Sequence, residues 1–184
     1  MRIAVALSLA VLSLAAAPKP APKPHKPVLE ELFARLAKAE SPEEAKPVED
    51  EIATLFAQSG SASVDLLMAR AAAALAGGDD DLARKLFDAV TGIAPGFAEG
   101  WHEKAGMQAD AGDDEGAMVS LQKTVVLNPR QFAAMSELAE MLEEYGNKDG
   151  ALKLYKRALA LDPQLEGAAK RVRALEKDVE GQGI

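Results

Sequence analysis

Four kinds of residue recur in this chain at a fixed interval of 34 positions. Gly78, Gly112 and Gly146 are in phase, as are Ala83, Ala117 and Ala151, the bulky Phe87, Leu121 and Tyr155, and the prolines Pro95, Pro129 and Pro163. A period of this length marks an array. Each unit is one supersecondary motif that cannot bury its apolar face alone, so neighbouring units must stack. The stretches that carry the glycines, "GGDDDLA", "AGDDEGA" and "YGNKDGA", each follow an apolar run of helical period. Glycine there supplies the left-handed backbone that stops a helix. The polar residues after it start the next helix, because carboxylates accept from free N–H groups and favour the positive end of the helix dipole. The alanine marks the closest approach of two helices, and the bulky residue four later lies on the same face. The proline ends the second helix. Each unit therefore reads as helix, tight turn, helix, short turn.

The composition agrees. Only 4% of the residues are aromatic although 48% are hydrophobic, and alanine is abundant. That suits closely packed helices better than a sandwich of strands, which would need β-branched and aromatic residues.

The period, the Gly–Ala–bulky–Pro series and Trp101 resemble the tetratricopeptide repeat family. The resemblance covers Val64 to Pro163, as repeats 64–97, 98–131 and 132–163. It implies an all-α, right-handed superhelical solenoid of antiparallel helix pairs. Trp101 stands at the family's tryptophan position, with Leu67 and Met135 as counterparts, and Ala71, Ala105 and Ala139 at its small contact point. Three positions depart from the pattern: Thr124 replaces a small apolar residue, and Arg70 and Lys104 replace a leucine.

The three consecutive aspartates Asp79–Asp81 invite a calcium reading. An EF-hand loop needs ligands at alternating positions, a central glycine and a closing glutamate about twelve residues from its start. None of the three turns supplies that set, and their phase in the repeat assigns them to starting a helix.

Two flanks complete the array. Residues 28–60 carry two apolar stripes, Leu29, Leu32, Phe33, Leu36 and Ala37 in one and Val48, Ile52, Leu55 and Phe56 in the other. Ser41-Pro42-Glu43-Glu44 is a capping box with proline at the first helical position, and Pro47 is expected to shorten or kink the helix that follows. This pair reads as a degenerate repeat covering the N-terminal end of the stack. Residues 164–184 read as a terminal capping helix and tail, with Leu165, Ala168, Val172 and Leu175 on one face and Lys170, Arg171, Arg173 and Lys177 mostly on the other.

The first residues have another character. A positive start, an apolar run from Ile3 to Leu14 and the small residues Ala15–Ala17 have the form of a secretory signal peptide, with cleavage expected near Ala15. The run is too short to span a membrane comfortably, so no stable anchor is expected after cleavage. Residues 16–27 then form a Pro/Lys-rich extended spacer. With no cysteine to lipidate, a soluble export product is expected, and the resemblance of the chain as a whole to small exported repeat proteins of Gram-negative bacteria implies the periplasm. The whole chain carries a net charge of −8, and removing Arg2, Lys19, Lys23 and Lys26 leaves the folded part more acidic still. That argues against nucleic acid and anionic lipid as main partners.

Catalytic constellations are absent from the sequence. "HEKAG", from His102, starts like the zinc-protease motif HExxH, but Gly106 stands where the second histidine must be. There is no cysteine nucleophile, nucleophile elbow or phosphate-cradling glycine loop. No catalytic, metal or cofactor residue is assigned, and the chain is read as non-enzymatic. The resemblance implies a groove lined by the second, fifth, ninth, twelfth and thirteenth positions of each repeat. The first repeat then contributes Asp65, Met68, Ala72, Leu75 and Ala76, and the second Glu99, His102, Gly106, Ala109 and Asp110. The third contributes Ala133, Ser136, Glu140, Glu143 and Glu144, so the lining runs from apolar to acidic. Family members that grip a peptide's carboxyl terminus use basic residues at such positions, and none is present. The expected partner is a protein or peptide segment, basic and apolar, held by a monomer. The alternatives are a self-associating structural module or an accessory subunit of an envelope enzyme.

Overall fold

The computed structural model describes residues 25–181, and among them nine helices and no strand. The helices are α1 (His25–Leu36), α2 (Pro42–Phe56), α3 (Ala62–Ala76), α4 (Asp80–Ile93), α5 (Ala98–Asp110), α6 (Asp114–Leu127), α7 (Phe132–Glu144), α8 (Lys148–Leu161) and α9 (Ala168–Gly181). Residues 1–24, and with them the signal-peptide reading and most of the spacer, lie outside the described residues. None of the described helices is long and apolar enough to cross a membrane.

The phase of the sequence appears directly as packing. α3 pairs with α4, α5 with α6 and α7 with α8, and each pair stacks on the next through α4–α5 and α6–α7, an all-α solenoid that α9 extends against α8. Ala83, Ala117 and Ala151 are each 0% exposed, as the closest approach within a pair requires, and Ala71, Ala105 and Ala139 are buried too. Gly78 turns with φ +74°, and Gly112 and Gly146 do the same at +75° and +80°. The stop is a Schellman motif: Asp79 N donates to Ala74 O at 2.9 Å and Gly78 N to Leu75 O at 3.0 Å. The next helix starts with a side-chain cap. Asp79 accepts from Leu82 N at 3.1 Å, Asp113 from Gly116 N at 3.0 Å and Asn147 from Gly150 N at 2.9 Å. Of the three aspartates, then, the first is the cap, while Asp80 and Asp81 sit in the first turn near the positive helix end.

Two of the three departures from the repeat pattern find partners. Thr124, 0% exposed, sends its hydroxyl to Ser120 O at 3.0 Å, so no polar atom is left unpaired. Lys104 reaches back to Asp88 of the preceding α4 at 2.6 Å, and its Nζ lies over the Trp101 ring, 5.5 Å from the centroid. Trp101 itself donates to Pro95 O at 3.1 Å.

The N-terminal pair does not do what its sequence implied. Consecutive packing breaks between α2 and α3, so α1 and α2 do not cap the stack. They turn back as a hairpin and share one core with repeats two and three: Leu32, Phe33, Leu36, Val48 and Ile52 join Phe132, Met135 and Tyr155. The reason lies in the partners available. Phe33 meets Phe132 edge-on at 6.3 Å and carries the Arg130 guanidinium over its face at 3.7 Å. Arg130 also pairs with Glu30 at 2.6 Å, and Gln164 Nε2 donates to Ala39 O at 3.0 Å. The alanine-rich end of α3 presents no aromatic side chain of that kind. Two smaller corrections follow. α2 runs unbroken through Pro47, since a proline so near the start removes little from the hydrogen-bond ladder. α1 begins at His25, inside the stretch read as spacer.

A candidate interaction groove

Side chains of α3, α5 and α7 meet along one surface. At its α3 end, Met68, Ala69 and Ala72 with Phe87 of α4 wall a pocket of about 290 Å³, to which Asp65 and Glu103 add carboxylates. Ala72 is exposed, and Met68 and Leu75 are half-buried, so this apolar part is open. Burial raises the pKa of Glu103 first, and the charges of Glu99 and Glu137 raise it further.

The middle is organised around one imidazole. His102 Nε2 lies 3.0 Å from both carboxylate oxygens of Glu137 across the α5–α7 contact, and Nδ1 faces Glu99 Oε1 at 3.7 Å. Burial alone would lower the pKa of His102, but hydrogen bonds to Glu137 and Glu99, and their charges, outweigh it and raise it from 6.5 to about 10. An imidazolium at neutral pH thus bridges two repeats. Gln131 Nε2 donates to Glu99 Oε2 at 2.7 Å and lies 3.2 Å from His102 Nδ1. Glu99 and Gln131 are 8% and 5% exposed. What covers them is the hairpin: Ile52, Ala53 and Phe56 of α2 face Glu99, His102, Gln131 and Phe132 across a crevice of about 140 Å³. The expected lining residues sit on α3, α5 and α7, and those at the start of α5 and α7 are not free.

The α7 end is acidic, with a counterion. Glu140 and Glu144 are exposed. Glu143 is held at 3.1 Å by Arg171 Nε of α9, a residue whose place on the outer face of the capping helix had been expected. Burial raises the pKa of Glu140 first and Glu137 raises it further, while Arg171 opposes them. Ser136 is half-buried between the acidic and covered parts, and Asp110 is exposed at the end of α5. Sequence periodicity did not select Gln131, Glu137, Phe132 or Glu103 for this surface, because they fall just outside the lining register and act through tertiary pairing. Buried Asp162 belongs to the same region. Its Oδ1 accepts from Gln164 N at 3.0 Å, as the equivalent Asn128 Oδ1 does from Arg130 N at 3.1 Å. Burial first, and then Glu49 of α2, push its pKa up to about 6.

With pairing, turn and cap repeating in register, the comparisons with known proteins are consistent with the geometry. No family model matches the chain. A TPR repeat-containing protein of Rhizobium etli is 29% identical over 111 residues, 60% of this chain and 54% of the relative. The chain thus spans about half the length of that curated relative. The first TPR of Spaghetti (RPAP3), solved bound to an HSP90 peptide, superposes with TM-score 0.57 at 18% identity, over 64% of this chain and 93% of that one. In sequence and in fold the chain resembles tetratricopeptide-repeat proteins. The type III secretion chaperone SycD of Yersinia enterocolitica, in complex with a peptide of the translocator YopD, superposes with TM-score 0.57 at 16% identity, over 65% of this chain and 96% of that one. MamA does so with TM-score 0.57 at 14% identity, over 84% of this chain and 82% of that one. At such identities the likeness speaks for the repeat fold.

Proposed function

We propose that this chain is a non-catalytic scaffold of the Gram-negative periplasm whose groove holds a partner segment, apolar at one end and basic at the other. The observation that carries the reading is the surface itself. An open apolar pocket at Met68 and Ala72, edged by Asp65 and Glu103, continues into the exposed carboxylates Glu140 and Glu144. Carboxylates whose pKa values are raised by burial and by one another are relieved when a cation arrives. Structural neighbours solved with bound peptides support a peptide ligand as the general class. The signal-like residues at the start of the chain support export, which fractionation of cells carrying the tagged protein checks directly.

The binding test uses a fluorescent synthetic peptide with leucines in one half and lysines in the other. Exchanging Glu140 and Glu144 for lysine removes the salt-dependent part of its affinity, since only charge pairing is screened. Glu143 is left in place because Arg171 holds it. Met68→Glu weakens binding at every salt concentration, as loss of apolar contact does. Equal binding of the peptide by parent and both variants sinks the groove reading. Self-association is a second reading, favoured by Leu66, which stands 61% exposed at the uncapped end of the stack.

A further inference from the structure

The α1–α2 hairpin occupies the part of the groove where α5 and α7 begin, and we infer that it is a displaceable cover that competes there with the partner segment. This rests on the groove reading above and adds its regulation. Three observations carry it.

First, besides the core it shares with α7 and α8, the hairpin buries residues that would line the groove. Glu99 and His102 belong to the second and fifth positions of their repeat, and both lie under Ile52 and Phe56 of α2. The same positions of the first repeat, Asp65 and Met68, line an open pocket instead.

Second, the seam keeps unfilled space and an unpaired polar atom. A crevice of about 140 Å³ remains within it, and unfilled space forfeits dispersion contact. The buried carboxyl of Asp162, with Oδ2 lacking a hydrogen-bond partner, faces Glu49 of α2 there. Lys46, 3.6 Å from Glu49 and 3.0 Å from Asp50, is the nearby cation on the hairpin side. The other anchors, Glu30–Arg130 and Gln164–Ala39, lie at the surface or half-buried.

Third, the hairpin is tied to the first repeat by a turn and not by a packed helix interface. It is joined to α3 by the five residues 57–61, which include Gly60 at φ +78°, and α2 does not pack against α3 as successive helices elsewhere do. A closed cover reduces apparent affinity by the fraction of molecules that are open. Weakening the hairpin contact must therefore tighten binding, the reverse of what loss of a binding element does.

The test uses the full chain and the leucine–lysine peptide. Amide exchange in the parent should show α1 and α2 opening together, faster than α7 and α8. Phe33→Ala speeds hairpin exchange and tightens the peptide by about tenfold, with a smaller rise in exchange in α7 and α8, which lose only the Phe33 contact. Glu30→Arg does the same by about threefold, and adding Arg130→Glu restores both quantities, so the result does not depend on Phe33→Ala folding. Hairpin amides that exchange only at the rate of α7 and α8 overturn the cover. So does a peptide that binds parent and loosened variants equally, an outcome that leaves the groove reading intact. A peptide that binds none of these proteins rejects the groove reading and this inference with it.

Discussion

The third position of each repeat shows how one register produces different environments. In repeats two and three it is Gly100 and Ala134, both buried against the second helix of the preceding pair. A Cβ on Gly100 would stand 2.7 Å from Val90 Cγ1 of α4. In repeat one the same position is Leu66, 61% exposed, because α2 has turned back toward α5 and α7 and, among the described residues, no helix stacks on that side of α3. Residue size follows: the two packed positions are small, and the unpacked one is large. Burial in a repeat array is a property of the interface a residue meets, and its place in the period sets only which interface that would be.

Exchanging sizes breaks this comparison most sharply. Ala134→Leu forces a large side chain into the α6–α7 contact and lowers stability by about 1–3 kcal/mol in thermal or chemical unfolding. Ala117→Leu has a similar effect, since that contact lies within a pair and needs no neighbour. Unchanged unfolding of either variant defeats the register.

The fifth position gives a second contrast: Met68 in an open pocket against His102 between Glu99 and Glu137. A folded pKa of about 10 lies above the unfolded value of 6.5, so the stability that charged His102 contributes is whole below 6.5 and is lost as pH rises through 10. The melting temperature of His102→Gln therefore falls furthest below the parent near pH 6, and the two curves converge toward pH 10. A gap that widens with pH contradicts a bridging imidazolium. The smallest effect belongs to the exposed end. Leu66→Ala changes the stability of a monomer by less than about 0.5 kcal/mol. A larger loss that grows with protein concentration shows instead that a second copy covers this face.

Much of this molecule is legible in its sequence. The 34-residue phase places every turn glycine, every cap and every pair-contact alanine between Val64 and Pro163, because those roles are local: backbone handedness, a side chain reaching three residues on, two helices joined by a short turn. The same phase places Met68, Ala72, Glu140 and Glu144 on the lining helices. The amphipathic stripes of residues 28–60 likewise specify two helices with apolar faces. What they do not specify is the surface those faces meet. That choice was made by Phe132, Arg130 and Gln164, which lie roughly a hundred residues or more along the chain from the hairpin residues they hold. The pairing of Arg171 with Glu143 and of His102 with Glu137 has the same origin. Periodicity encodes contacts between neighbours in the chain. Contacts between distant elements depend on which apolar and charged surfaces fit best once the local elements exist, and only the tertiary structure decides that.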